Sequence, residues 1–200
     1  YIIESLSEMH YTAPDIYNRK VKAVSSTFPR NKGELTDLTD FLNMNIYSSS
    51  IMTDKLLSPL DKESAKYYTY LLDSVAVAGE HPKYKIRILP KFRSTQLVSG
   101  YVWVSDEIWT IREVYFEGKF DMIDFKLRNI MGEEGDEEFL PVRLDLDIRF
   151  KFMGNDLEMN ADAFVVDKGS TSYMTVNFND ITSDEQWKNF VMSSTTFEIF

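Results

Sequence analysis

Three aspartates make the best case for chemistry in this sequence. Asp145 and Asp147 lie two residues apart in the run Val142-Arg143-Leu144-Asp145-Leu146-Asp147-Ile148-Arg149-Phe150-Lys151-Phe152. Residues spaced by two share one face of a strand. Asp162 falls on the next alternating run, where a hairpin return can bring it across from them. Two carboxyl groups roughly 5–9.5 Å apart in a cleft can work as the acid and base of glycoside hydrolysis. The same face, however, carries Arg143, Arg149 and Lys151. Alternating signs on neighbouring positions read better as cross-strand ion pairs on a solvated sheet face. A hydrolase is therefore the minor reading, and no catalytic residue is assigned.

The remaining chemistry is thinner. His10 and His81 are the two histidines, far apart and without metal-ligand spacing such as HExxH. Cysteine is absent, which excludes disulfides, thiolate metal sites and thiol catalysis. Ser48-Ser49-Ser50 and Ser193-Ser194 are polar runs, with no G-x-S-x-G elbow. The eight glycines form no phosphate-cradling loop. No metal and no cofactor is expected. Glu133, Glu134, Asp136, Glu137 and Glu138 form a dense acidic run. Lacking EF-hand spacing, it reads as a solvated hairpin loop rather than a cation site.

A net charge of -10 and a pI near 4.7 oppose nucleic-acid binding and electrostatic docking to an acidic membrane. Tyr101, Trp103 and Trp109 could stack bases, but basic neighbours are sparse. No apolar run reaches the length of a membrane span. The chain opens on Tyr1 rather than Met, as a mature form or an excised domain would.

The elements that would position these residues are mostly strands. At 142–152 the alternation is strict: Val142, Leu144, Leu146, Ile148, Phe150 and Phe152 on one face, charges on the other. Gly154-Asn155-Asp156 predicts a turn, and Leu157 to Val165 a returning strand. Tyr68 to Leu72, Tyr84 to Leu89, Tyr101 to Val104, Trp109 to Glu117, Phe120 to Ile130 and Tyr173 to Phe178 also read as β, with Pro90 limiting the second of these.

Helices are expected at three or four places. Residues after Pro14 suggest an irregular or helical start before a strand near 20–25. Leu35, Leu38, Phe41, Leu42 and Ile46 form a stripe at spacings of three and four. Ser58-Pro59-Leu60-Asp61 looks like a helix start, and Ser183-Asp184-Glu185-Gln186 like a capping box. The expectation is one α+β domain, mainly β, over 1–200. It has an irregular or helical entry at 1–56, an antiparallel body at 57–180 and a short helix at 183–192. The body is a curved sheet or half-barrel of about nine strands with helices on its concave face, or alternatively a closed barrel.

The order of several short motifs carries a resemblance. They are Leu57-Ser58-Pro59-Leu60, Tyr67-Tyr68-Thr69-Tyr70-Leu71, Tyr84-Lys85-Ile86-Arg87-Ile88-Leu89-Pro90-Lys91, Ser99-Gly100-Tyr101-Val102-Trp103-Val104, Trp109-Thr110-Ile111-Arg112 and Phe139-Leu140-Pro141-Val142. Together, over 57 to about 166, they resemble the DUF5686 family of Bacteroidetes. That resemblance implies a large envelope-associated protein, often with a carboxypeptidase-like regulatory domain before this region and an outer-membrane-barrel-like region after it. It also implies the fold of outer-membrane lipoprotein carriers, a half-barrel cupping helices. It carries no catalytic or ligand-binding residues with it.

The resemblance implies a noncatalytic domain of the periplasm or outer-membrane periphery in a Gram-negative bacterium, and the large Tyr, Phe, Trp and Met content adds the expectation of an apolar interior. It would bind or transfer a hydrophobic ligand such as a lipid or a lipoprotein acyl chain. The alternative is a structural or protein-interaction module of a larger outer-membrane-associated protein.

Overall fold

The computed structural model describes residues 2–12, 16–27, 45–51, 55–77, 81–106, 109–120, 122–132, 141–152, 155–167 and 171–179. It begins with two long strands, β1 (Ile2–Thr12) and β2 (Ile16–Ser26). Two short ones follow, β3 (Ser50–Ile51) and β4 (Leu56–Leu57). Then come β5 (Tyr68–Val77), β6 (Pro82–Pro90), β7 (Ser99–Ser105), β8 (Ile111–Phe120) and β9 (Ile123–Met131). The last three are β10 (Pro141–Phe152), β11 (Asn155–Asp167) and β12 (Thr171–Asn179).

Ten strands form one antiparallel sheet in the order β2-β1-β12-β11-β10-β9-β8-β7-β6-β5. From β5 to β12 it is a simple meander, each strand beside its successor. The N-terminal hairpin then adds to the far side through the β1–β12 pairing, Ile2 opposite Asn177 and Glu8 opposite Thr171.

This corrects the expected architecture. The sheet is open, with β2 and β5 as its edges, and it neither closes nor curls into a half-barrel. The described start of the entry is not helical but two paired strands, Ile2–Thr12 and Ile16–Ser26. Among the described residues the helical structure is one 3₁₀ turn, Ser64–Lys66. The helix expected after Ser58 fails for a local reason. The Ser58 hydroxyl accepts from the Leu60 N–H, and the Asp61 carboxylate accepts from the Glu63 N–H, each two residues on. Such contacts stabilise turns at the expense of helix. Of the helix expected over 34–46, residues 34–44 lie outside the described residues, as does 183–192, while Asn45 and Ile46 are not helical and Ile46 begins a turn.

The strand alternation does settle two faces. Leu144, Leu146, Ile148 and Phe150 are buried, and their neighbours in register continue the layer. Ile123, Phe125 and Leu127 on β9, Val114 and Phe116 on β8, Val102 and Val104 on β7 and Ile88 on β6 all join it. Ile46, Ile51, Leu56, Leu97 and Val98 belong to the same cluster, so among the described residues the cover comes from 45–51, 55–57 and the segment before β7. At Gly100 the backbone of β8 comes so close that an added Cβ would sit 1.9 Å from the Tyr115 carbonyl oxygen. No side chain fits there.

Tyr68 pins cover to sheet. It is almost fully buried, and its hydroxyl donates to the Leu57 carbonyl at 2.7 Å and accepts the Val98 N–H at 3.2 Å. Burial pushes its pKa from 10.0 up to about 12, against the lowering effect of the Val98 N–H. The neutral phenol is therefore the form that suits the fold. Its contribution is whole below pH 10, the unfolded value, and declines as pH rises from about 10 to about 12. Tyr68→Phe leaves the two backbone groups without this partner and should cost about 1–3 kcal/mol at neutral pH. The gap between wild type and variant should narrow between pH 10 and 12, as read by denaturant unfolding at each pH.

Candidate functional site

The sheet offers three surfaces: a charged face, an apolar margin and a basic loop. The charged face runs opposite the core. Register sets Arg87, Tyr101, Tyr115, Arg128, Asp145 and Asp162 in one row across β6 to β11. Tyr101 and Tyr115 stack with ring centroids 5.3 Å apart and planes at 17°. The Lys85 ammonium lies 4.1 Å from the Tyr101 ring centroid. Tyr101 donates to Glu113 at 2.9 Å, and Arg128 grips both oxygens of Glu113 at 2.9 and 3.2 Å. Tyr115 donates to Glu117 at 2.9 Å.

These contacts set the titration of the row. Burial first, then the Glu117 hydrogen bond and nearby negative charge, pushes Tyr115 up to about 12. Tyr101 rises for the same kinds of reason, burial first and Glu113 next. Glu113 in turn holds the Arg128 guanidinium above its ordinary value. Every shift favours the charge state these groups already have at neutral pH.

The aspartates are brought onto this face, as their spacing predicts. Asp162 pairs in register with Asp145, so the hairpin return is where the sequence puts it. The surroundings are a flat, open face rather than a cleft. Arg143 binds Asp145 at 2.8 and 3.1 Å along the same strand, two residues away rather than across the sheet. Arg149 and Glu158 do cross from β10 to β11, at 3.6 Å. Asp147 is exposed, and its charge is felt at Tyr115.

The histidines are not brought together. His10 is in β1 and His81 precedes β6, seven strand spacings apart in the sheet order, on the order of 30 Å. The His81 Nδ1 lies 3.7 Å from the Asp106 carboxylate. No group of three or more metal-ligating side chains occurs among the described residues. Ser48 and Ser49 lie in the turns before β3, where the Ser49 carbonyl accepts the Ser58 N–H at 3.0 Å. Ser193, Ser194 and the acidic run from Glu133 to Glu138 lie outside the described residues.

Two surfaces went unread in the sequence. One is the margin at β5 and β6. On the face whose middle is buried at Ile88 and Val102, Leu72 is 65% exposed, Val77 79% and Trp109 67%. Trp109 stacks on Tyr84 at 5.9 Å and 21°. It does so from a left-handed backbone (φ 56°), rare for a bulky residue and a place to look for function. The other is the loop after β6, where Phe92 is half-exposed among Lys91 and Arg93. The alternation of apolar residues on β5 and β6 signals a core face; only the strand order shows that this part of it lies at an edge.

With the fold in place, the comparisons with known proteins become informative. The profile of a family described as "Family of unknown function (DUF5686)" matches residues 1–168. The chain belongs to the DUF5686 family. The match starts at the first residue, so it takes in the β1–β2 hairpin as well as the 57–166 stretch whose motifs carry the resemblance. No curated protein and no solved structure gives a significant match.

The charged face makes a graded prediction. Glu113→Gln should cost about 1–2 kcal/mol, because it loosens a bidentate arginine and a tyrosine together. Asp145→Asn breaks one half-exposed pair and should cost less than about 1 kcal/mol. Urea unfolding of both variants measures the difference, and the reverse order would contradict the network described.

Proposed function

We propose that this DUF5686 chain is a noncatalytic interaction module of the cell envelope, and that β5 with its apolar margin is where a protein partner binds. The observation that carries this is the mismatch between pattern and cover. Leu72, Val75, Val77 and Trp109 extend the core layer, yet they stand in solvent. Leu71 on the opposite face of β5 is exposed as well.

The two edges of the sheet differ in a way that supports the reading. Edge strands are ordinarily blunted by lysines, prolines or bulges, because their outward N–H and C=O groups template further pairing. β2 carries Arg19, Lys20 and Lys22. β5 has no lysine and no proline. Its one charge, Asp73, is engaged by Arg87 of β6, and a single bulge interrupts it between Leu72 and Ser74. A strand of this kind suits β-augmentation, in which an extended peptide adds to the sheet and its alternate side chains cover the apolar residues.

An acyl chain is a poorer occupant. It cannot satisfy edge hydrogen-bond groups, and an open sheet margin gives it one wall instead of an enclosing groove. The partner is accordingly an extended protein segment with alternating apolar side chains, from the envelope or from the rest of a longer polypeptide.

A photo-crosslinking residue at Val77, introduced into the protein expressed in its native host, tests this. The expected product is a covalent adduct with one defined peptide segment. Val75→Lys should reduce the yield roughly tenfold by charging the edge. Adducts with lipid alone would contradict the proposal.

A further inference from the structure

The loop between β6 and β7 differs in charge from most of this acidic chain. Lys91, Phe92, Arg93, Ser94 and Thr95 line a shallow depression of about 770 Å³ together with Lys119 of β8. Lys62 and Lys66 lie on the adjoining turn, Lys66 paired with Glu63 at 2.6 Å, and with Lys91, Arg93 and Lys119 the five cations at this end of the sheet outnumber Asp61, Glu63, Asp124 and, next after β8 in sequence, Asp121. Salt screens charge beyond about 8 Å, so the local balance, not the net -10, governs what docks here.

The loop is also held in place. Lys91 donates through its backbone to the Tyr67 carbonyl at 2.8 Å and through its ammonium to the Ala65 carbonyl at 2.7 Å. At the other end the Leu57 N–H binds the Gln96 carbonyl at 2.9 Å, and Leu97 and Val98 are buried. Between these anchors Phe92 meets Tyr67 edge-on at 6.3 Å while remaining 52% exposed. Arg93 is exposed and makes no ion pair among the described residues; Lys119 pairs with Asp124 at 3.3 Å.

A loop anchored at both ends, with a half-exposed aromatic ring between two cationic residues and hydroxyls beside them, matches a surface that is apolar inside and phosphate-bearing outside. We infer that the 91–95 loop with Lys119 docks on the headgroup layer of an anionic phospholipid membrane. Phe92 enters between the headgroups, and Arg93 and Lys119 meet phosphate oxygens, with Ser94 and Thr95 as further donors. The exposed ring favours a membrane over free phosphate, which would gain nothing from it. The inference does not depend on the β5 edge, which lies outside this loop.

Flotation of the full chain with vesicles tests it. The chain should float with phosphatidylglycerol-containing vesicles, not with phosphatidylcholine alone, and float less as salt rises. Arg93→Ser should weaken binding roughly fivefold, the worth of one cation at an anionic surface. Phe92→Ser should weaken it further; Arg93→Ser should melt like wild type, and Phe92→Ser should melt slightly lower, through loss of the edge contact with Tyr67, while staying folded at the assay temperature. Absence of flotation on phosphatidylglycerol, or flotation untouched by either substitution, would overturn the assignment. Binding of inorganic phosphate without vesicles, equal in Phe92→Ser and wild type, would assign a free-anion site and overturn it too.

Discussion

A period of two, held over strand after strand, makes one face of this sheet apolar, and an apolar face in water must be covered. From β6 to β10 the chain meets that demand with its own residues. Ile46, Ile51 and Leu56 come from the segment before β5, and Leu97 and Val98 from the loop before β7. Tyr68 ties this cover down with a hydroxyl that serves Leu57 and Val98 together. The rest of the molecule follows from how far that cover reaches. Where it reaches, side chains are fully buried; at the β5–β6 margin it does not, and Leu72, Val77 and Trp109 face solvent.

The opposite face obeys a different rule. It is wet, so its charges are arranged in short-range pairs rather than buried. Glu113 sits at the centre of the best-connected set, bound by Arg128 and by Tyr101, which stacks on Tyr115. These contacts hold neighbouring strands together at modest energy, as partly exposed pairs do. The same arrangement explains why Asp145, Asp147 and Asp162 can share a face without forming an acid–base pair in a cleft. The sheet is open, Asp147 is exposed, and Arg143 has Asp145 engaged.

Much of this was legible from residue pattern alone, and the exceptions have physical reasons. Strand β10 was plain because Leu144 to Phe150 alternate without a break, and the β10–β11 hairpin followed from Gly154-Asn155-Asp156. Strand β1 was not. In Ile2 to Thr12 the apolar residues Ile2, Leu6 and Met9 fall at helical spacing, and pairing with β12, far along the chain, decides the outcome. Ser58 has the identity of a helix cap but closes a turn on Leu60, as Asp61 does on Glu63, and these two-residue contacts compete with helix. Curvature and enclosure were expected both from the run of strands with helices between them and from the family resemblance, and the open strand order replaces them. Trp109 stood out only as an aromatic able to stack on bases, and Phe92 not at all, since an aromatic residue reads as core until its place at an edge or loop tip is known.

The proposed role requires the apolar margin of β5 to be bare in the isolated chain and ready to accept a strand. Amide hydrogen exchange, resolved residue by residue along β5 to β8, tests this most directly. It should show Leu72 to Val77 exchanging far faster than Val102 and Val114, whose strands are paired on both sides beneath the cover. Protection of Leu72 to Val77 equal to that of Val102 and Val114 would mean the edge is already covered, and would contradict the claim.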